Sequence, residues 1–323
     1  MDKLYLVIPC YNEEEVLHET SSRLLTKMNT MIEKGLIHKE SKILFVNDGS
    51  RDKTWSIIEE LNNQNDMFSG VNLSRNKGHQ NALLAGLMTA KEYADMTISL
   101  DADLQDDIDV IDKFVEEYYS GSDVVYGVRS SRETDTFFKR TTALGFYKFM
   151  NVLGVDVVYN HADYRLMSKR ALEGLSEFKE ANLFLRGIVP LIGYKFSVVE
   201  YERHERFAGE SKYPLKKMLT FAWDGITSFS VKPIRIITSL GFFIFLISFI
   251  AIIYSLVSKF MGNAQAGWTS LTASIWMIGG IQLLSLGVIG EYIGKIYTET
   301  KRRPRFIIKD TLIDGKRENI KDI

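Results

Sequence analysis

Two stretches near the carboxyl end limit what this chain can fold into. IITSLGFFIFLISFIAIIYSLV (Ile236 to Val257) and LTASIWMIGGIQLLSLGVI (Leu271 to Ile289) contain no charged residue. A helix needs about 20 mostly apolar residues to cross a bilayer. A helix in the core of a soluble domain normally keeps a polar face, and these runs have none. The spacing predicts two membrane-spanning helices, about 236–257 and 271–293. A mean hydropathy of -0.06 hides this division, because charges are scattered throughout the residues before Pro233.

The flanks set the orientation. Lys232 and Arg235 precede the first run, and Lys295, Lys301, Arg302, Arg303 and Arg305 follow the second, while the connecting SKFMGNAQAG holds only Lys259. The positive-inside rule then places both ends of the chain in the cytoplasm. The expected protein is a multi-pass protein of the inner or plasma membrane with a cytoplasmic amino-terminal domain. Gly290 and Gly294 form a small-xxx-small pair suited to close helix packing, and equally to ordinary glycine tolerance in a membrane helix. MDKLYLVIPC is too soon interrupted to read as a signal peptide. A single cysteine, Cys10, excludes an intramolecular disulfide and fits small buried packing. A formal net charge of -1 offers no basic surplus for nucleic acid.

Before the spans, short β-branched runs alternate with helical patterns. Strands are predicted at 4–9, 42–47, 69–74, 96–100 and 123–128, and helices at about 13–34, 52–64, 78–93 and 108–120. Asn12 with Glu15 reads as an N-cap for the first helix. This alternation specifies an α/β fold, a mostly parallel sheet with helices on both faces. The division is a catalytic domain over 1–213, an interfacial amphipathic helix over 214–232, two spans within 233–295 and a tail over 296–323. Basic and aromatic residues mix in 136–154 and 214–230, as in helices lying in the headgroup region, though core packing would use the same residues.

Ligands of open α/β sheets bind at the carboxyl ends of the strands. There the chain carries PCYNEEE, NDGSRDKT, SRNKGHQNA, DADLQDD and RSSRE. No Walker A or G-x-G-x-x-G cradle is present, so a phosphate ligand needs another counter-charge. Asp101, Asp103 and Gln105 alternate, and in extended backbone alternate side chains share a face. Oxygen donors of this kind suit Mg²⁺ or Mn²⁺. Asp106, Asp107 and Asp109 read as the acidic start of the next helix, and by itself the whole cluster could be an elaborate N-cap. His79, His161 and His204 lack metal-ligand spacing and read as loop or substrate-edge residues.

VIPCYNEEE, FVNDGSRDKT, LSRNKGHQNALLAG and SLDADLQDD, in that order, resemble the family 2 glycosyltransferases, whose fold is called GT-A (Rossmann-like). HADYRLMSKRAL, ERFAGESKYPLKK and two terminal spans are similar to the polyprenyl-phosphate branch, which includes bactoprenol glucosyltransferases of the GtrB type and dolichol-phosphate mannose synthases. The resemblance implies an inverting transfer of a sugar, with UDP-glucose the expected donor, to undecaprenyl or another polyprenyl phosphate at the cytoplasmic membrane face. Other implied donors are GDP-mannose, UDP-GlcNAc, UDP-galactose and UDP-aminoarabinose. It also implies a catalytic set of Asp101, Asp103, Asp163, Arg206 and Lys212. Pro9, Tyr11, Glu13, Asp48, Arg129, Arg165 and Ser211 would bind substrate, with Asp48 accepting a hydrogen bond from the base. Asp103 and Gln105 would hold Mg²⁺ or Mn²⁺, and relatives assemble as tetramers. Asn47 departs from the aspartate common at that place. No glutamine is followed by x-x-R-W, which argues against a processive polysaccharide synthase. A silent scaffold that keeps the fold only for binding is the remaining alternative.

Overall fold

A computed structural model describes residues 1–129, 161–181, 183–202, 233–239, 241–244, 246, 250, 253, 261, 267–313 and 315–319. The chain divides into two compact units. Met1–Tyr147, Val157–Pro214 and Arg303–Ile323 form one, and Lys148–Asp156 with Leu215–Arg302 form the other.

The first unit is built on a nine-stranded sheet. Its strands are β1 (Leu4–Cys10), β2 (Lys42–Asn47), β3 (Phe68–Leu73), β4 (Met96–Ser99), β5 (Val124–Arg129), β6 (His161–Ser168), β7 (Phe196–Tyr201), β8 (Ile308–Ile313) and β9 (Lys316–Asn319). They lie in the order β7-β5-β6-β4-β1-β2-β3-β8-β9. The central four, β4-β1-β2-β3, are parallel. β1, β2 and β3 are buried along their whole length, as apolar strands covered on both faces must be.

Side chains alternate between those two faces. Leu4, Leu6, Ile8 and Phe45 join a core with Leu17, Leu24 and Met28 of α1 (Leu17–Glu33), Ile58 of α2 (Thr54–Gln64) and Phe114 of α4 (Ile111–Tyr119). Val7 and Val46 face the other way, onto Gly86 of α3 (His79–Ala90). Two shorter helices, α5 (Lys169–Ser176) and α6 (Leu185–Leu191), complete the described part of this unit.

Several expectations need correction. The sheet is mixed: β6 runs antiparallel between β4 and β5, so β5 does not pair with β4, and β8 and β9 add antiparallel strands beyond β3. The tail is thus partly sheet, docked on the first unit. Asn12 does not cap the first helix. It takes a left-handed φ of 53°, and α1 begins at Leu17 after Val16, which makes no side-chain cap. Asp107 does cap as expected, accepting from Asp109 N–H at 2.8 Å at the short turn before α4.

In the second unit α7 (Trp268–Thr300) is one unbroken helix. At 1.5 Å per residue it is roughly 50 Å long, more than a hydrocarbon core of about 30 Å. Its Met277–Thr300 portion, with mean hydropathy 1.4, is long and apolar enough to cross a membrane. Leu283, Leu284, Leu286 and Ile293 are exposed on it, the surface expected of a helix solvated by lipid. The described residues of the first apolar run, 233–239 and 241–244 among them, are helical. Among the described residues there is thus one candidate spanning helix where the sequence predicts two. Residues 136–154 and 214–230 lie outside the described residues.

The contact of α3 with the sheet generates a test. A Cβ on Gly86 would come 2.4 Å from Val7 Cγ1 and 2.6 Å from Val46 Cγ2. Alanine gains about 1 kcal/mol of helix propensity, whereas overpacking a tight core costs about 1–3 kcal/mol. An overlap this deep takes the upper part of that range, a net loss of about 1–2 kcal/mol, and Gly86→Ala is expected to lower the melting temperature of the purified protein by about 2–8 °C. An unchanged or raised value would show that α3 lifts off the sheet freely.

Candidate active site

The loops after β1, β2 and β3 are tied to one another before any ligand is considered. Asn12 N–H donates to Ser50 Oγ at 3.0 Å, and Asn12 Oδ1 accepts from Arg51 N–H at 2.9 Å. Glu13 N–H donates to Thr54 Oγ1 at 2.9 Å. Asp48 reaches across to the third loop, where its carboxylate accepts from the N–H groups of Lys77 at 2.7 Å and Gly78 at 2.9 Å. Burial raises the pKa of Asp48 while these donors oppose the rise. Gly49 sits so close that a Cβ would lie 2.6 Å from the backbone of Arg75 and Asn76, and its φ is +61°. Only glycine fits both demands.

The acidic loop follows β4. Thr20 Oγ1, on α1, lies 2.7 Å from Ala102 O, between the two aspartates, and 3.0 Å from Val16 O. Ser99 Oγ donates to Asp163 O at 2.5 Å, linking the end of β4 to β6. The expected alternation of Asp101, Asp103 and Gln105 does not hold. β4 stops at Ser99, Leu104 has φ 55°, and Gln105 N–H donates to Asp103 Oδ1 at 3.2 Å, so this segment is a turn. Asp101 is 45% exposed at the mouth, while Asp103 is nearly buried. Among the described residues no three His, Cys, Asp or Glu side chains form a ready metal cage. The donor set still fits Mg²⁺ or Mn²⁺, which need few protein oxygens when phosphates and water complete the shell.

Beside this loop, Asp163 on β6 gathers three cations. Its Oδ1 is 2.6 Å from Arg165 Nη2, and its Oδ2 is 3.1 Å from Arg186 Nη2 and 3.7 Å from His79 Nε2. Burial alone would raise its pKa, but Arg186, His79 and Arg165 hold the carboxyl well below the usual range. His79, the first residue of α3, also lies 3.7 Å from Asp101. Burial works against its protonation, yet Asp163 and Asp101 lift its pKa to about 9. The imidazole is therefore a cation at neutral pH.

A second cluster closes the other side. Asp106 is buried, and its Oδ1 accepts from Tyr201 OH at 2.7 Å. Arg129 Nε donates to the same phenol oxygen at 3.3 Å, and its Nη2 is 4.0 Å from Asp106. Burial first, then the charge of Asp101, raises the Asp106 pKa to about 6. Asp106 is not the helix-starting acid that its sequence position predicts.

The structure thus brings Asp101, Asp103, Gln105, Asp163 and Arg129 to one sheet edge. Tyr11, 37% exposed, and the backbone of Glu13 stand on the loop after β1. Pro9 is buried inside β1. Arg165, expected to bind substrate, is 2% exposed, and its guanidinium donates to Asp163 and to Leu185 O in the interior. Arg206, Ser211 and Lys212 lie outside the described residues. Arg186, Asp106 and Tyr201 join the site without having been singled out for it by the sequence, and so does His79, which reads there as a loop or substrate-edge residue. Arg186, far along the chain in LRGIVPL, offered no local signal at all. His79 offered one, its place in the loop after β3.

Comparison with known proteins shows the family. A model described as glycosyl transferase family 2 matches residues 5–176, and one described as GtrB C-terminal hairpin matches residues 232–296. The chain is 58% identical over 305 residues to a Bacillus subtilis glycosyltransferase, YkoT, covering 94% of this chain and 90% of that one. It is 41% identical over 309 residues to the bactoprenol glucosyl transferase of Shigella phage SfX, covering 95% and 99%. The same identity holds over 309 residues with an Escherichia coli prophage bactoprenol glucosyl transferase homolog, covering 95% and 98%. An acidic strand end, a buried acid–cation cluster and an apolar carboxyl-terminal helix are here the parts of one enzyme, and the chain belongs to glycosyl transferase family 2.

Proposed function

We propose that this glycosyltransferase moves glucose from UDP-glucose to a polyprenyl phosphate such as undecaprenyl phosphate, inverting the anomeric centre. The observation that carries this reading is the pairing of an acidic strand end with a cationic cluster around Asp163, in a chain that continues into a helix of membrane length. The near full-length likeness to bactoprenol glucosyl transferases supports the acceptor. Two spans, cytoplasmic chain ends and a multi-pass place in the inner or plasma membrane complete the proposal. A tetramer held by the helices is the assembly that goes with it.

Asp103 and Gln105, with Asp101 at the mouth, are proposed to hold Mg²⁺ or Mn²⁺, which when bound stabilises negative charge on a leaving diphosphate. The protein's own groups do the rest. Tyr11 and Glu13 border the nucleoside, and Asp48 holds the neighbouring turn and offers an acceptor to the base. Arg129 stands where an acceptor phosphate can be met, and Arg206, Ser211 and Lys212 supply further contacts to phosphate. Arg suits that task because its planar fork binds two oxygens at once. A phosphate acceptor is already an anion near neutral pH, so it needs placing more than deprotonating. That agrees with Asp163, since a carboxylate held so far below its normal pKa is a poor general base. Its role is to fix His79 and Arg186 beside Asp101.

Membranes containing the protein, given labelled UDP-glucose, undecaprenyl phosphate and Mn²⁺, are expected to yield a labelled lipid. Asp103→Asn should reduce the rate at least about 100-fold, the scale of losing a main electrostatic contributor. Label incorporated only from GDP-mannose or another UDP-sugar would change the donor, and no labelled lipid from any of them would overturn the function.

Asp163 and Arg186 separate structure from activity. Asp163→Ala leaves the guanidinium of Arg165 buried without a counter-charge, a loss of roughly 3–5 kcal/mol, and the melting temperature should fall by about 6–20 °C. Arg186 is about a third exposed. Arg186→Ala should therefore melt within a few degrees of the natural protein while losing at least about tenfold in kcat. Equal melting of both variants would contradict the assignment of these two roles.

A further inference from the structure

The first unit has a cleft of about 460 Å³ away from the acidic loop, at the ends of β2 and β3. Its walls include Tyr11, Trp55, Arg51, Arg75, Asn76 and Lys309. No acidic residue lines it. Two aromatic rings with three cations and no carboxylate match a flat heterocycle attached to an anion. Lys309 is the unexpected member, because it arrives from the tail, beyond the apolar helix α7.

We propose that Lys309 is a nucleotide-binding residue of this enzyme that favours donors whose base presents a carbonyl edge. The inference rests on the UDP-sugar reading above and adds to it a specificity residue delivered by the tail.

Three observations support it. First, the placement is built. β8 pairs with β3 so that Asp310 faces Asn72 and Ile308 faces Leu73, leaving Lys309 as the extra residue of a bulge. A bulge re-aims the side chain that it leaves unpaired. Ser74 N–H donates to Ile307 O at 2.9 Å just before it, which fixes the turn into the cleft.

Second, a buried polar chain locks this register. Asn47 Nδ2 donates to Asn72 Oδ1 at 2.8 Å, and Asn72 Nδ2 donates to Asp310 Oδ2 at 3.1 Å. Arg317 on β9 bridges that carboxylate, at 3.5 Å, and Glu59 on α2, at 2.8 Å. The amide at position 47, where an aspartate is common in the family, is the donor that begins this chain. A carboxylate there could not donate to Asn72. Lys309 itself is exposed, and no carboxylate lies within ion-pair distance of it among the described residues.

Third, the separation is right. Strands lie about 4.8 Å apart, so the cleft is two to three strands, roughly 10–14 Å, from the end of β4. A nucleoside extending from a diphosphate beside Asp103 reaches across that distance with its base end. A lysine has three donors and no acceptor. It favours the O4 carbonyl of uracil over the amino group that cytosine carries at the same place.

The test is calorimetric titration of the full-length protein in detergent with UDP and CDP, in the presence of Mn²⁺. The natural protein should prefer UDP. Lys309→Ala should weaken UDP about fivefold to tenfold, the scale of one charge-assisted hydrogen bond at a partly exposed site, change CDP by less than twofold and leave the melting temperature unaltered. Lys309→Arg should keep the preference. UDP affinity unchanged in Lys309→Ala, or an equal loss for both nucleotides, would overturn this inference alone. A natural protein that binds no UDP would overturn the donor reading, and this inference with it.

Discussion

A carboxylate buried among three cations organises this site. Removing Asp163 from water would favour its neutral form, and only Arg165, Arg186 and His79 reverse that. Each partner comes from a different segment. Arg165 shares β6 with Asp163, Arg186 comes from α6, and His79 opens α3. The ion cluster therefore fixes the relative positions of three elements at the sheet edge where Asp101 and Asp103 stand. Neither charge is tolerable alone. A fully buried guanidinium without Asp163 would be as costly as the carboxylate without its cations.

The loops around this cluster are organised in the same way, by hydrogen bonds that cross from one strand end to the next. Asp48 holds the turn after β3, Asn12 and Glu13 hold the start of α2, and Thr20 reaches the carbonyl between the two aspartates. A glycosyltransferase of this kind meets its donor with a prearranged edge, in which most polar groups already have a protein partner. Preorganisation of this sort limits how far charges must reorient as negative charge develops on a leaving group. Asn12 and Leu104 take left-handed backbone at this edge. Both occur in turns that direct neighbouring groups toward the edge.

The parts legible in the sequence are those governed by local pattern. β1 to β5 are β-branched runs ending in polar turns, and each of them forms within a residue or two of its predicted bounds. The acidic turn after β4 was visible because so many carboxylates behind a strand invite a counter-charge. β6 carries no local strand signal of its own. HADYRLMS puts Asp163 and Arg165 on a strand in the sheet interior, where charged residues almost never lie unless paired, and the pair is invisible without the fold. Asp106 is hidden for a related reason: its partner Tyr201 is distant in sequence, so locally the dipole of the next helix suffices to explain it. IKDTLI in the tail could equally be a terminal strand or a mobile end, since Asp310 meets Asn72 and Arg317 only after docking.

That docking has a consequence for how the enzyme holds together in the cell. β3 would otherwise be the outermost of the parallel strands, with a row of backbone amides and carbonyls open to any extended peptide. A stretch made after the apolar helix supplies the cover. Until that stretch is made, the nascent amino-terminal unit carries an adhesive border, and a polypeptide cut short after the helix would keep it permanently, inviting neighbouring copies to zip together along it.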